Sequence, residues 1–127
     1  MIYVDTSALT KLLVAEVESV AMRELAGTPM ITSALTAAEL RRAVRRRAPS
    51  LAVDVEHVLD RLTTVAIDAQ LLRAAGAVGP VELKTLDAIH LATALVVRDE
   101  ITAFVAYDER LLDAARLAGI PTLSPGV

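Results

Sequence analysis

The sequence predicts an α/β fold, a three-layer α/β/α sandwich around a central, mainly parallel sheet of four or five strands. Three observations predict it. Short apolar or β-branched runs (MIYV, MIT, TTVAI, TAFVA) alternate with stretches whose apolar residues recur at helical spacing. Aromatics make up 2% of a chain that is 54% hydrophobic, so the core must be Leu, Val, Ile and Ala, a mixture suited to helices laid on a sheet. Glycines and prolines fall at the ends of these segments rather than inside them.

Taken in order, Met1 to Val4 reads as a short buried strand. Ala8 to Val14 reads as a helix, and a second helical pattern from about Glu18 to Ala26 is stopped by Gly27. Met30 to Thr32 follows Pro29 as strand two. A helix from Ala34 to Arg47 ends before Pro49. Leu51, Val55, Val58, Leu59 and Leu62 share one helical face, so Leu51 to Leu62 is the next helix. Thr63 to Ile67 is strand three, and Asp68 caps a helix running to about Ala77. Thr85 to Val97 is a strong helix, Thr102 to Ala106 a strand, Glu109 to Ala118 a helix ended by Gly119, and Pro121 to Leu123 a last short strand.

The 127 residues read as one domain, 1–127, large enough to bury a core without staples. Mean hydropathy of +0.51 excludes a disordered chain. With no cysteine, disulfides and thiolate metal sites are impossible and a reducing, cytoplasmic setting is expected. Asp5 and Lys11 interrupt the first apolar stretch, which excludes a signal peptide there. The longest uncharged apolar run, Ala88 to Val97, falls far short of the roughly 18 residues a membrane span requires. A net charge of -3 offers nucleic acid no global attraction, so binding it would need a local basic patch.

Four acids stand out by position. Asp5 closes strand one and Asp108 follows the Thr102 to Ala106 strand, so both fall at carboxyl ends of parallel strands, where ligands bind in open sheets. Glu39 and Asp87 lie near the starts of mostly apolar helices. Each has a structural reading. Asp5 and Asp108 can cap the helices after them, Thr36 with Glu39 fits a capping box, and Thr85 can cap its helix with Asp87 a favourable first-turn charge. Together they read differently. Converging carboxylates repel by about 4 kcal/mol per pair at 4 Å and an effective dielectric near 20, so such a cluster calls for a cation. Oxygen ligands without Cys suit Mg²⁺ or Mn²⁺, which can polarise a phosphate and activate water for in-line displacement.

The segments YVDTSALTKLL, TAAELRRA, LDAIHLATAL and FVAYDERLLDAA, in this order and spacing, resemble the PIN domain, and more narrowly the VapC-type toxins of toxin–antitoxin pairs. The likeness runs over nearly the whole chain, with DAIHLATA the most specific segment. It implies a PIN-like fold and endonucleolytic cleavage of RNA, leaving 5′-phosphate and 3′-hydroxyl ends. It implies one or two Mg²⁺ or Mn²⁺ ions held by Asp5, Glu39, Asp87 and Asp108, with Asp5 and Asp87 the most dependable ligands. It further implies a homodimer and a small VapB-type antitoxin whose C-terminal segment covers the acids, with Ala8 to Ala26 as a surface for both contacts. One departure is Ala106, where the family often has the Thr of a T-x-D motif.

The run Arg41, Arg42, Arg45, Arg46, Arg47 is the only strong basic concentration. Arg42 and Arg46 share the helix side of Glu39 and are candidates to guide an RNA backbone, with Lys11 and Lys84 as minor candidates; the alternative is a solvated helix face. His90 shares a side with Asp87, and its preferred reading is a hydrogen-bonded packing residue rather than a base. Tyr3, Phe104 and Tyr107 are too few to form a base-stacking platform. Two rival functions stay open. A haloacid-dehalogenase-like phosphatase would need a second Asp two residues after Asp5, where Ser7 stands, and a PIN-like module could bind RNA or a partner without cutting.

Overall fold

The computed structural model describes residues 1–127. Five parallel strands form one sheet: β1 (Ile2–Val4), β2 (Met30–Ser33), β3 (Thr63–Val65), β4 (Ala103–Val105) and β5 (Thr122–Leu123). Their spatial order is β3-β2-β1-β4-β5. The chain builds outward from β1 through β2 to β3, then crosses and builds β4 and β5 on the other side. β1 and β4 therefore flank the point where strand order reverses, the crevice where open parallel sheets bind ligands.

Alternation along the strands divides the core into two layers. Ile2, Val4, Ala103 and Val105 face one side and pack on α1 (Thr6–Leu13), α2 (Ser19–Leu25), α3 (Leu35–Arg47) and α4 (Ala52–Asp60) through Leu9, Met22, Leu40, Val44 and Val55. Tyr3, Ile31 and Phe104 face the other side, against α6 (Thr85–Val96) and α7 (Glu109–Leu117). Leu71 and Ala75 of α5 (Ala69–Ala75) extend that layer by packing on Ala88, Ile89 and Ala92. Each fully buried leucine stabilises the fold by about 1.5–3 kcal/mol, so Leu9, Leu40, Leu91 and Leu111 are strong anchors.

Element order and type agree with the sequence reading, and the differences are local. α1 begins at Thr6 rather than Ala8, because the Asp5 side chain caps it by accepting the Ala8 N–H at 3.0 Å. The predicted helix from Leu51 opens instead as a 3₁₀ turn, Pro49–Leu51, before α4. β3 stops at Val65, since this edge strand has only β2 to pair with. No helix is long and apolar enough to cross a membrane.

Candidate active site

β1 ends in Asp5, which turns directly into α1. Its Oδ1 accepts both the Ala8 N–H and the Ser7 hydroxyl, the latter at 2.6 Å. The Ser7 oxygen in turn accepts the Tyr107 N–H at 3.0 Å, so one hydroxyl ties the ends of β1 and β4 together. Ala106 is buried and has no hydroxyl to offer, and Ser7 supplies the link there. Asp5 is 5% exposed. Burial pushes its carboxyl up to about 6, against the pull of Ser7, His90 and the Ala8 N–H, and the charge of Asp87 adds to the rise.

Glu39 lies on α3, and the structure overturns its capping-box reading. The helix starts at Leu35, Thr36 is already inside it, and the Thr36 hydroxyl pairs with Thr32 at 2.7 Å. Glu39 instead reaches across the cleft. Its Oε1 accepts the Thr6 hydroxyl at 2.7 Å and lies 2.6 Å from Nε2 of His90. Burial pushes the Glu39 carboxyl up, but the hydrogen bond and charge of His90, with the Thr6 hydroxyl, outweigh it and leave it below the ordinary glutamate value.

Asp87 sits in the first turn of α6, half-buried, with no side-chain hydrogen bond of its own. Burial raises its carboxyl, and the nearby charges of Asp108 and Glu39 raise it further against His90 and Lys84. Lys84, not Thr85, occupies the N-cap position of that helix. Asp108 is exposed and caps α7 through Oδ1, 3.1 Å from the Leu111 N–H. The structural and functional readings of Asp5 and Asp108 are thus compatible, because capping uses one carboxylate oxygen of each. The four acids come from four parts of the chain, and each of Asp5, Glu39 and Asp108 acts electrostatically on Asp87 or feels it.

The basic residues divide sharply. Arg41 forms a two-bonded pair with Glu56, and Arg47 pairs with Glu16. Arg42, Arg45 and Arg46 have no ion pair and together line an open depression. Arg46 and Arg47 also border a second depression of about 410 Å³ that includes Thr6, Ser7 and Asp108. Asp108 and Asp87 continue into a third, of about 310 Å³, which carries Lys84 and Arg110. Arg110 was not singled out from the sequence, although it stands two residues past Asp108 in YDER. Lys11 is differently engaged. Its ammonium is bound by Glu16 at 2.6 Å and Glu18 at 3.1 Å and lies over the Tyr107 ring.

The donor set suits a hard cation. There is no Cys, and both ring nitrogens of His90 are already occupied, by Tyr3 and Glu39. That leaves carboxylate oxygens, the ligand type of Mg²⁺ and Mn²⁺. No three of the chain's His, Asp and Glu groups converge on one point at coordinating distance. Asp87, with no bonded partner, and the second oxygen of Asp108 are free to turn toward a cation.

A parallel sheet with acids near its switch point defines a carboxylate-lined α/β fold, and comparison with known proteins names it. The profile described as PIN domain matches residues 2–117. The chain belongs to the PIN domain family. It is 42% identical to Ribonuclease VapC47 of Mycobacterium tuberculosis, covering 99% of this chain and 98% of that protein. It is 40% identical to Ribonuclease VapC46 of the same species, over 98% and 97% of the two chains. Among solved structures, Mycobacterium tuberculosis VapC20, a toxin that cleaves the sarcin–ricin loop, matches with a TM-score of 0.76 at 20% identity, covering 98% of this chain and all of that one. A toxin–antitoxin complex from Klebsiella pneumoniae matches with a TM-score of 0.72 at 21% identity, over 98% of both chains. At such identities these two structures bear on the fold.

Proposed function

We propose that this chain is a divalent-metal-dependent endoribonuclease, the toxin of a toxin–antitoxin pair, acting as one domain over residues 1–127. The observation that carries the reading is the set of four acids, drawn from separate elements, that share one electrostatic environment at the β1/β4 crevice. Full-length likeness to ribonucleases at about 40% identity supports RNA as the substrate.

In this reading Asp5, Glu39, Asp87 and Asp108 would hold Mg²⁺ or Mn²⁺, which when bound would polarise the scissile phosphate and ease deprotonation of water. Ser7 and the Ala8 N–H keep Asp5 oriented, and Thr6 does the same for Glu39. Lys84 and Arg110 on one side of Asp108, and Arg42 and Arg46 on the other, attract the flanking phosphates. Lys11 contributes least, because two glutamates neutralise it. A VapB-type antitoxin, a homodimer and a cytoplasmic location complete the proposal, the first supported by the Klebsiella complex.

The test is cleavage of RNA by the purified protein. Activity should appear with Mn²⁺ or Mg²⁺, vanish in EDTA and return when the ion is restored. Cleavage at full rate in EDTA overturns the mechanism, and RNA bound but left intact with either ion favours the non-cleaving module.

A further inference from the structure

His90 is a titratable side chain in contact with a cleft acid that the proposed chemistry leaves without a task, and it is 2% exposed. Both its nitrogens are committed. Nδ1 lies 2.7 Å from the Tyr3 hydroxyl, and Nε2 lies 2.6 Å from Glu39 Oε1. The roles follow from chemistry. An ionised carboxylate can only accept, so Nε2 carries a hydrogen. The Tyr3 ring is fully buried, and its hydroxyl is the partner of Nδ1. Nε2 therefore donates to Glu39, and Nδ1 is committed to the Tyr3 hydroxyl.

Tyr3 is itself immobile, since it belongs to β1 and stacks on Phe104 with centroids 5.0 Å apart. It meets His90 edge-on, with ring planes at 78°. The chain Tyr3–His90–Glu39 thus runs from the rigid sheet centre to a carboxylate 24% exposed at the cleft. Thr6 donates to the same oxygen, so two bonds fix Oε1 and neither reaches Oε2. Through Nε2 this core histidine reaches an acid of another element at the cleft.

We infer that Tyr3 and His90 are positioning residues that hold Glu39 so that it offers a single oxygen, Oε2, to the cation. The inference rests on the metal reading above and assigns no proton transfer to His90. Partners of this kind typically change metal affinity 10- to 100-fold.

Two measurements on the full chain test it. The first is Mn²⁺ affinity by calorimetric titration. His90→Leu should bind roughly 10- to 100-fold more weakly than the wild type. His90→Gln, whose amide N–H can reach Glu39, should recover most of that loss. Tyr3→Phe, a near-isosteric change that serves if His90→Leu fails to fold, should weaken binding by less. The second is the nitrogen NMR spectrum of the imidazole, with exposed His57 distinguished by its solvent exchange. Wild-type His90 should carry a hydrogen on Nε2, and Tyr3→Phe should keep it, since Glu39 still accepts it. Equal Mn²⁺ affinity in the wild type, His90→Leu and Tyr3→Phe, or an Nδ1–H tautomer in the wild type, overturns the inference alone. A wild type that binds no Mn²⁺ overturns the metal reading and this inference together.

Discussion

The two charged regions of α3 differ in every physical respect although they share one helix. Glu39, near its start, is half-buried and fastened by two side chains from other elements. Arg42, Arg45 and Arg46, one and two turns later, are exposed and have no ion pair. The buried charge is held in one geometry by the fold, whereas the exposed ones can move to follow a ligand. The difference teaches where each contribution to function should lie: in chemistry for the acids, in long-range attraction for the arginines. Substitutions at the acids should alter activity steeply, and those at the arginines should alter salt dependence gently.

The largest expected effect is at Asp5 and Asp87. Asp5→Asn or Asp87→Asn should reduce RNA cleavage to below roughly one hundredth of wild type, measured with Mn²⁺ at saturating RNA. Asparagine is as good a helix cap as aspartate, so Asp5→Asn should melt no lower than wild type at pH 8. Loss of cleavage with a matching loss of melting temperature would blur the comparison, because Asp5 would then be a structural cap alone.

The next effect is on stability against pH. The Asp5 carboxyl is raised from 3.8 to about 6 in the folded chain. Between those values the folded state binds more protons than the unfolded one, so metal-free stability falls as pH rises through that interval. At about 1.4 kcal/mol for each pH unit, the Asp5 contribution is about 3 kcal/mol, and the raised carboxyl of Asp87 adds in the same direction. The lowered carboxyls of Glu39, Glu16, Glu18 and Glu56 oppose both. Urea unfolding in EDTA from pH 4 to pH 7 isolates the Asp5 share: the stability of wild type relative to Asp5→Asn should decline across that range.

Ser7→Ala should come third. It removes the donor to Asp5 and the acceptor of the Tyr107 N–H, costing about 1–2 kcal/mol in urea unfolding. The smallest effect belongs to the exposed region. Replacing Arg42 and Arg46 together by Ala should leave stability within about 0.5 kcal/mol of wild type. It should lower the slope of log binding constant against log salt for single-stranded RNA by about 0.7 per arginine. An unchanged slope would make these arginines a solvated face.

What was legible in the sequence was mostly local. β-branched and apolar runs between Gly and Pro stops are strands of a parallel sheet, so the pattern alone assigns Asp5 and Asp108 to one edge. The partners of Glu39 were not legible, since Thr36 at the right spacing mimicked a capping box while the actual contacts come from Thr6 and His90, 33 and 51 residues away. The sequence marks His90 as a hydrogen-bonded packing residue, which describes its burial; that its partner is a cleft acid depends on how α3 and α6 meet at the crevice. Nor could composition tell paired from unpaired arginines, because Arg41 and Arg47 find Glu56 and Glu16 only in the folded chain.

The central claim, that four acids from separate elements make one hard-cation site, is tested most directly by titrating Mn²⁺ into the wild type and into Asp5→Asn, Glu39→Gln, Asp87→Asn and Asp108→Asn. The account predicts saturable binding by the wild type and at least about tenfold weaker binding by every variant, least severe for exposed Asp108. Wild-type affinity that survives in Asp5→Asn and Asp87→Asn would contradict it.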